Sequence, residues 1–144
     1  MRGTAENGQY RPLLLVSITI GAGSQDVWML VDSGADYTTI PTSLAEAISG
    51  TPGDKLGKPT GNAIGVGGEV PQRVVEAELS YLNRVFARQI FVSAIPRPVL
   101  GRNDFMATFD LQFQWGSIPP EFHVALNARF ATRKNLAIRP RRKA

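Results

Sequence analysis

Two short apolar runs, Leu13–Ile20 (LLLVSITI) and residues 27–31 (VWMLV), are separated by a short segment containing Gly21 and Gly23, and the second ends directly on Asp32. Runs of this length and composition across a glycine-containing turn read as a β-hairpin. Both runs are apolar at successive positions, the pattern of strands buried on two sides. A carboxylate set at the end of such a strand is costly unless it is hydrogen-bonded or has a task.

The rest of the chain repeats this style. Ser43-Leu44-Ala45-Glu46 has the capping-box pattern and predicts a short helix over about 44–48, stopped by Gly50. Residues 51–59 form a polar Gly/Pro loop, and 63–70 (AIGVGGEV) are dense in glycine. Residues 74–79 and 85–92 read as two strands around a turn near Asn83. Val99 and Leu100 lead into Gly101-Arg102, and Asn103 or Asp104 is placed to cap a short helix running to Ala107. From Phe109 to Trp115 apolar and polar residues alternate, the signature of a half-buried strand. Residues 122–131 fit strand or helix equally. With 14 glycines and 10 prolines among 144 residues, strands and turns are favoured over long helices. The expectation is one mostly-β domain over residues 12–116, with one or two short helices. An N-terminal extension (1–11) precedes it, and a basic, in part disordered, C-terminal extension (117–144) follows.

Several chemistries are excluded. There is no cysteine, so disulfides, thiolate nucleophiles and Cys-based zinc sites are out. His123 is the single histidine, which rules out a His-rich metal site within one chain. No segment approaches the ~18–20 continuous apolar residues of a membrane span. The first ten residues lack the basic start and apolar middle of a signal peptide, so the chain reads as soluble. Much of the net charge of +4 traces to Arg129, Arg133, Lys134, Arg139, Arg141, Arg142 and Lys143. No aromatic residue follows Phe130, so this reads as a solvated terminus, and nucleic acid is not an expected partner.

The candidate chemistry centres on Asp32-Ser33-Gly34-Ala35. Ser33 supplies a hydroxyl, Gly34 permits close backbone approach, and Ala35 leaves space for a ligand. Alone, this tripeptide fits an ordinary Asx turn. The glycine-dense segment 64–68 fits an ordinary flexible turn, and it lacks the Lys-Ser/Thr ending of a phosphate-binding loop.

Taken in order, L-V-D-S-G-A-D (30–36), I-G-V-G-G (64–68) and V-L-G-R-N-D (99–104) resemble the retropepsin family of aspartic proteases, over most of the chain. The resemblance implies a closed β fold of the acid-protease type and an aspartic endopeptidase. Such an enzyme needs no cofactor or metal: two carboxylates sharing one proton activate a water and protonate the leaving amine. Only Asp32 among the aspartates is followed by Ser/Thr-Gly, so one chain carries half a site. The resemblance then implies a homodimer with the two Asp32 at its two-fold axis, acting on a peptide or protein substrate.

By the same resemblance Asp32, Ser33 and Gly34 form the catalytic group, with Ser33 bracing the pair across the axis. Gly34 and Asp36 would contact substrate backbone, and Arg102 would pair with Asp36. Gly65, Gly67 and Gly68 would belong to a flap. Leu30, Ala35, Ile64, Val66, Arg97 and Val99 would line the cleft, with Pro96 beside them. Arg97 stands where the family more often has an apolar residue, and residues 116–144 have no counterpart. Which segments form the dimer sheet is left open. The alternative function is a retropepsin-like dimerisation or peptide-binding module with little turnover.

Overall fold

The computed structural model describes residues 4–6, 9–65 and 68–129. Its strands are β1 (Thr4–Glu6), β2 (Gln9–Arg11), β3 (Leu13–Ile20), β4 (Gly23–Val31), β5 (Thr39–Pro41), β6 (Lys58–Gly65), β7 (Gly68–Tyr81), β8 (Arg84–Ser93), β9 (Val99–Leu100), β10 (Phe109–Gln114) and β11 (Glu121–Leu126). The helix α1 spans Thr42–Ser49. The two apolar runs form the expected hairpin, in register from Leu13 opposite Leu30 to Ile20 opposite Gly23. Their burial corrects the sequence expectation. Leu14, Val16, Ile18, Val27, Met29 and Val31 point inward, but Leu15 and Trp28 remain 42% and 57% exposed. A strand in a small closed sheet has one interior face, and its alternate side chains must point outward.

The sheet order is β3-β4-β9-β5-β8-β7, and β7 returns to β3 through Ser17 opposite Ser80 and Thr19 opposite Glu78. Six strands therefore close into a barrel. β6 lies outside it, paired to β7 alone among the described strands. The β7–β8 turn places Leu82 and Asn83 at φ 51° and 58°, the left-handed pair of a type I′ hairpin that matches the twist of its strands.

The helix forms where predicted but does not start as predicted. Pro41 is its first flanking residue and no side chain caps it. Ser43 sits inside the first turn, and the Glu46 carboxylate instead accepts from the Gly53 backbone N–H at 2.7 Å. The distant loop thus takes the acceptor that a capping box would have used. Gly50 ends the helix at φ 72°, donating to the Glu46 carbonyl at 2.8 Å.

One end of the barrel is filled by aromatic rings. Phe105 packs edge-on to Phe86 and stacks on Phe109, with centroids 5.1 and 5.0 Å away. Tyr81 joins this cluster, and burial pushes its hydroxyl above its ordinary pKa of 10.0. Beyond Trp115, where the sequence pattern faded, the chain turns back as β11 and pairs with β10 along its whole length. The boundary drawn at residue 116 falls in this turn, and Phe122 beyond it is 1% exposed within the core. Of the basic C-terminal residues only Arg129 lies among the described residues. No helix among them is long and apolar enough to cross a membrane.

Candidate active site

Strand polarity builds the site. β4 and β9 run parallel, with Leu30 opposite Val99 and Val31 opposite Leu100. Parallel neighbours end on the same side, so the loops after them, residues 32–38 and 101–108, emerge together. The Asp32 N–H donates to the Leu100 carbonyl at 3.1 Å and continues the ladder by one residue. The chain then turns sharply. The Ala35 N–H returns to the Asp32 carbonyl at 3.1 Å, and the Gly34 N–H donates to Asp32 Oδ1 at 2.9 Å. Asp32 is half-buried, while Ser33 and Gly34 are exposed. One carboxylate oxygen is thereby oriented by the backbone, and the turn presents Ser33 to solvent.

The second loop is laced to the first. The Arg102 N–H donates to the Ala35 carbonyl at 2.9 Å, and the Asn103 N–H to the Asp36 carbonyl at 2.8 Å. The Arg102 guanidinium pairs with Asp36, as the two motifs led one to expect. The two side chains are 54% and 67% exposed in the single chain, so water screens the pair. Arg102→Ala is therefore expected to lower the stability of the single chain by less than about 1 kcal/mol, read by chemical denaturation under monomeric conditions.

The stronger tie was not legible as such. Thr38 is completely buried. Its N–H and hydroxyl donate to the two carboxylate oxygens of Asp104, each at 2.9 Å. Asp104 Oδ1 also accepts from the Phe105 N–H at 2.7 Å, and the Gly101 N–H donates to the Thr38 hydroxyl oxygen at 3.2 Å. Gly101 makes this approach possible, because a Cβ there would stand 2.3 Å from the Tyr37 carbonyl carbon. Asn103 or Asp104 was expected to cap a short helix running to Ala107. Instead residues Arg102–Met106 form a wide π-type turn that begins at Gly101 without a side-chain cap. Asp104 turns back toward the first loop. The only available signal was a threonine just after the first motif and an aspartate closing the last one.

The other candidate residues fall in two groups. Leu30 and Val99 are opposed across β4 and β9, both half-buried at the mouth of the loops, and Ala35 is half-buried in the turn. Arg97 is half-buried in the segment entering β9, and Pro98 ahead of it accepts from the Leu30 N–H at 3.1 Å. Ile64 and Gly65 belong to the end of the β6–β7 hairpin, where their backbones oppose Glu69 and Gly68. Val66 and Gly67 lie outside the described residues.

A family model described as aspartyl protease matches residues 16–104, from the first barrel strand to the end of the second loop motif. Among solved structures, that of EIAV protease complexed with the inhibitor HBY-793 is similar in fold. The TM-score is 0.54 and the identity 24%, over 69% of this chain and 89% of that one. No curated protein matches the chain.

Proposed function

The chain belongs to the aspartyl protease family, with a retropepsin-like fold, and on that premise we propose that it is an aspartic endopeptidase assembled from two copies of itself. The observation that carries this reading is the Asp32 turn. It holds a half-buried carboxylate pinned through one oxygen by Gly34, in a loop tied by six hydrogen bonds to residues 101–104, and it occurs once per chain.

Hydrolysis of a peptide bond by such a site proceeds through a water held between two Asp32 carboxyls. The ionised one takes a proton as the water oxygen attacks the carbonyl carbon. The protonated one gives its proton to the carbonyl oxygen. Collapse of the resulting gem-diol breaks the C–N bond as one carboxyl gives its proton to the leaving nitrogen and a gem-diol hydroxyl gives its proton to the other, ionised carboxylate, which restores the singly protonated pair. Ser33 would brace the pair across the axis. Gly34 and Asp36 would meet substrate backbone, and Arg102 would hold Asp36. The segment including Gly65 and Gly68 would close over the cleft as a flap that excludes water. Leu30, Ala35, Ile64, Val66, Arg97 and Val99 would set side-chain preference.

Two outcomes follow for a peptide-library cleavage assay. Since each chain has half a site, specific activity is expected to fall on dilution toward the dimer dissociation constant. A fully active monomer by sedimentation would overturn the dimeric reading. Because the pair works with one shared proton, activity is expected to be bell-shaped in pH with its maximum on the acid side, and to persist in EDTA. Complete loss in EDTA would redirect the search to metal chemistry. Peptide binding without cleavage at any pH would favour a binding module instead.

A further inference from the structure

Resting on the reading that Asp32 is one half of a pair, we propose that the outer end of the β10–β11 hairpin is the surface on which the second copy seats, with Trp115 and Phe113 at its centre. One face of the hairpin is apolar throughout, from Phe109 opposite Leu126 to Phe113 opposite Phe122. Phe109 and Phe122 on that face are core, each 1% exposed. The strand then overhangs the core. Phe113 is 40% and Trp115 57% exposed, and their rings are stacked parallel at a centroid distance of 6.0 Å. Two large rings stacked in water form the kind of apolar patch that marks a contact surface.

The position of the patch identifies what covers it. Pro12 lines a shallow groove with Phe113, Trp115 and Phe122. The Pro12 carbonyl accepts from the Val31 N–H at 2.9 Å, and Val31 directly precedes Asp32. The patch is thus joined, through one backbone hydrogen bond, to the strand end that carries the catalytic carboxylate. A two-fold axis that brings two Asp32 together necessarily brings the neighbouring surfaces of both chains together. The hairpin is also a separate two-stranded sheet, with no further strand on either edge among the described residues. The other exposed cross-strand pair of large apolar side chains, Leu15 opposite Trp28, lacks this second feature. It lies on β3 and β4, which belong to the closed barrel sheet and not to a separate two-stranded one.

Trp115→Glu and Trp28→Glu are compared with the wild type by sedimentation over a concentration series and by cleavage of a peptide pool. Trp115→Glu is expected to raise the dimer dissociation constant about thirtyfold or more, as loss of a central Trp does at an interface. It keeps the far-UV spectrum of a folded chain and loses activity at concentrations where the wild type is active. Trp28→Glu behaves as the wild type. Joining two Trp115→Glu copies by a flexible linker restores cleavage through effective concentration, which would not repair a misfolded subunit. If Trp115→Glu dimerises as tightly as the wild type, or if Trp28→Glu alone dissociates the dimer, the assignment of this surface is overturned and the paired-Asp32 reading stands. A wild type that cleaves peptides as a monomer overturns that reading and the surface with it.

Discussion

Asp32→Asn is expected to lower peptide cleavage by on the order of 10³–10⁴-fold while leaving the chain folded and able to self-associate. The substitution isolates the proton-transfer role. In the native turn the Gly34 N–H donates to Asp32 Oδ1 at 2.9 Å, and the Asp32 N–H donates to the Leu100 carbonyl at 3.1 Å. An asparagine keeps both contacts, because its side-chain oxygen accepts the first and its backbone makes the second. What it removes is the group that, in the proposed mechanism, takes a proton from water and passes one to the leaving nitrogen. The measurement is kcat/KM on a peptide selected from the wild-type library, with far-UV spectra and sedimentation run on the same preparation. Turnover above a trace in protein free of contaminating protease would remove Asp32 from the mechanism. Loss of folding would mean instead that the carboxylate charge is structural.

Asp104→Ala carries the largest expected cost in stability, about 3–4 kcal/mol by urea denaturation, with a parallel loss of activity. The variant strips the acceptor from the Thr38 N–H, the Thr38 hydroxyl and the Phe105 N–H in one step. Thr38 is completely buried, so its N–H cannot turn to water. Hydrogen bonds to a carboxylate outweigh those to neutral acceptors, and an orphaned buried donor adds its own desolvation cost. Asp104→Asn should be milder, about 1–2 kcal/mol. It retains the oxygen that accepts from the Thr38 hydroxyl and Phe105 but puts an NH₂ against the Thr38 N–H. The contrast with Arg102→Ala is informative. Both side chains join the same two loops, yet the Arg102–Asp36 pair is more than half exposed and the Thr38–Asp104 contact is not. If Asp104→Ala and Arg102→Ala cost the same, burial is not what makes the inner tie strong.

Local rules suffice for the features the sequence determined by itself. The β3–β4 and β7–β8 hairpins follow from apolar runs bounded by turn residues, each decided by a few neighbouring side chains and φ values. The same holds for the site as a place in the chain: Asp32, Ser33 and Gly34 are contiguous, and the Arg102–Asp36 pair was readable because both residues sit inside recognisable motifs. Tertiary structure alone decided the rest. Leu15 and Trp28 looked as buried as Leu14 and Met29 until barrel closure chose which face of each strand was inside. Asp104 and Thr38 lie 66 positions apart, and no local pattern distinguishes a helix cap from a carboxylate reaching across to another loop. The segment after Trp115 carried no clear period, and it became a strand because β10 offered an unpaired edge and the core a place for Phe122. Contacts between residues far apart in sequence depend on how the sheet closes, and closure is a property of all six strands at once.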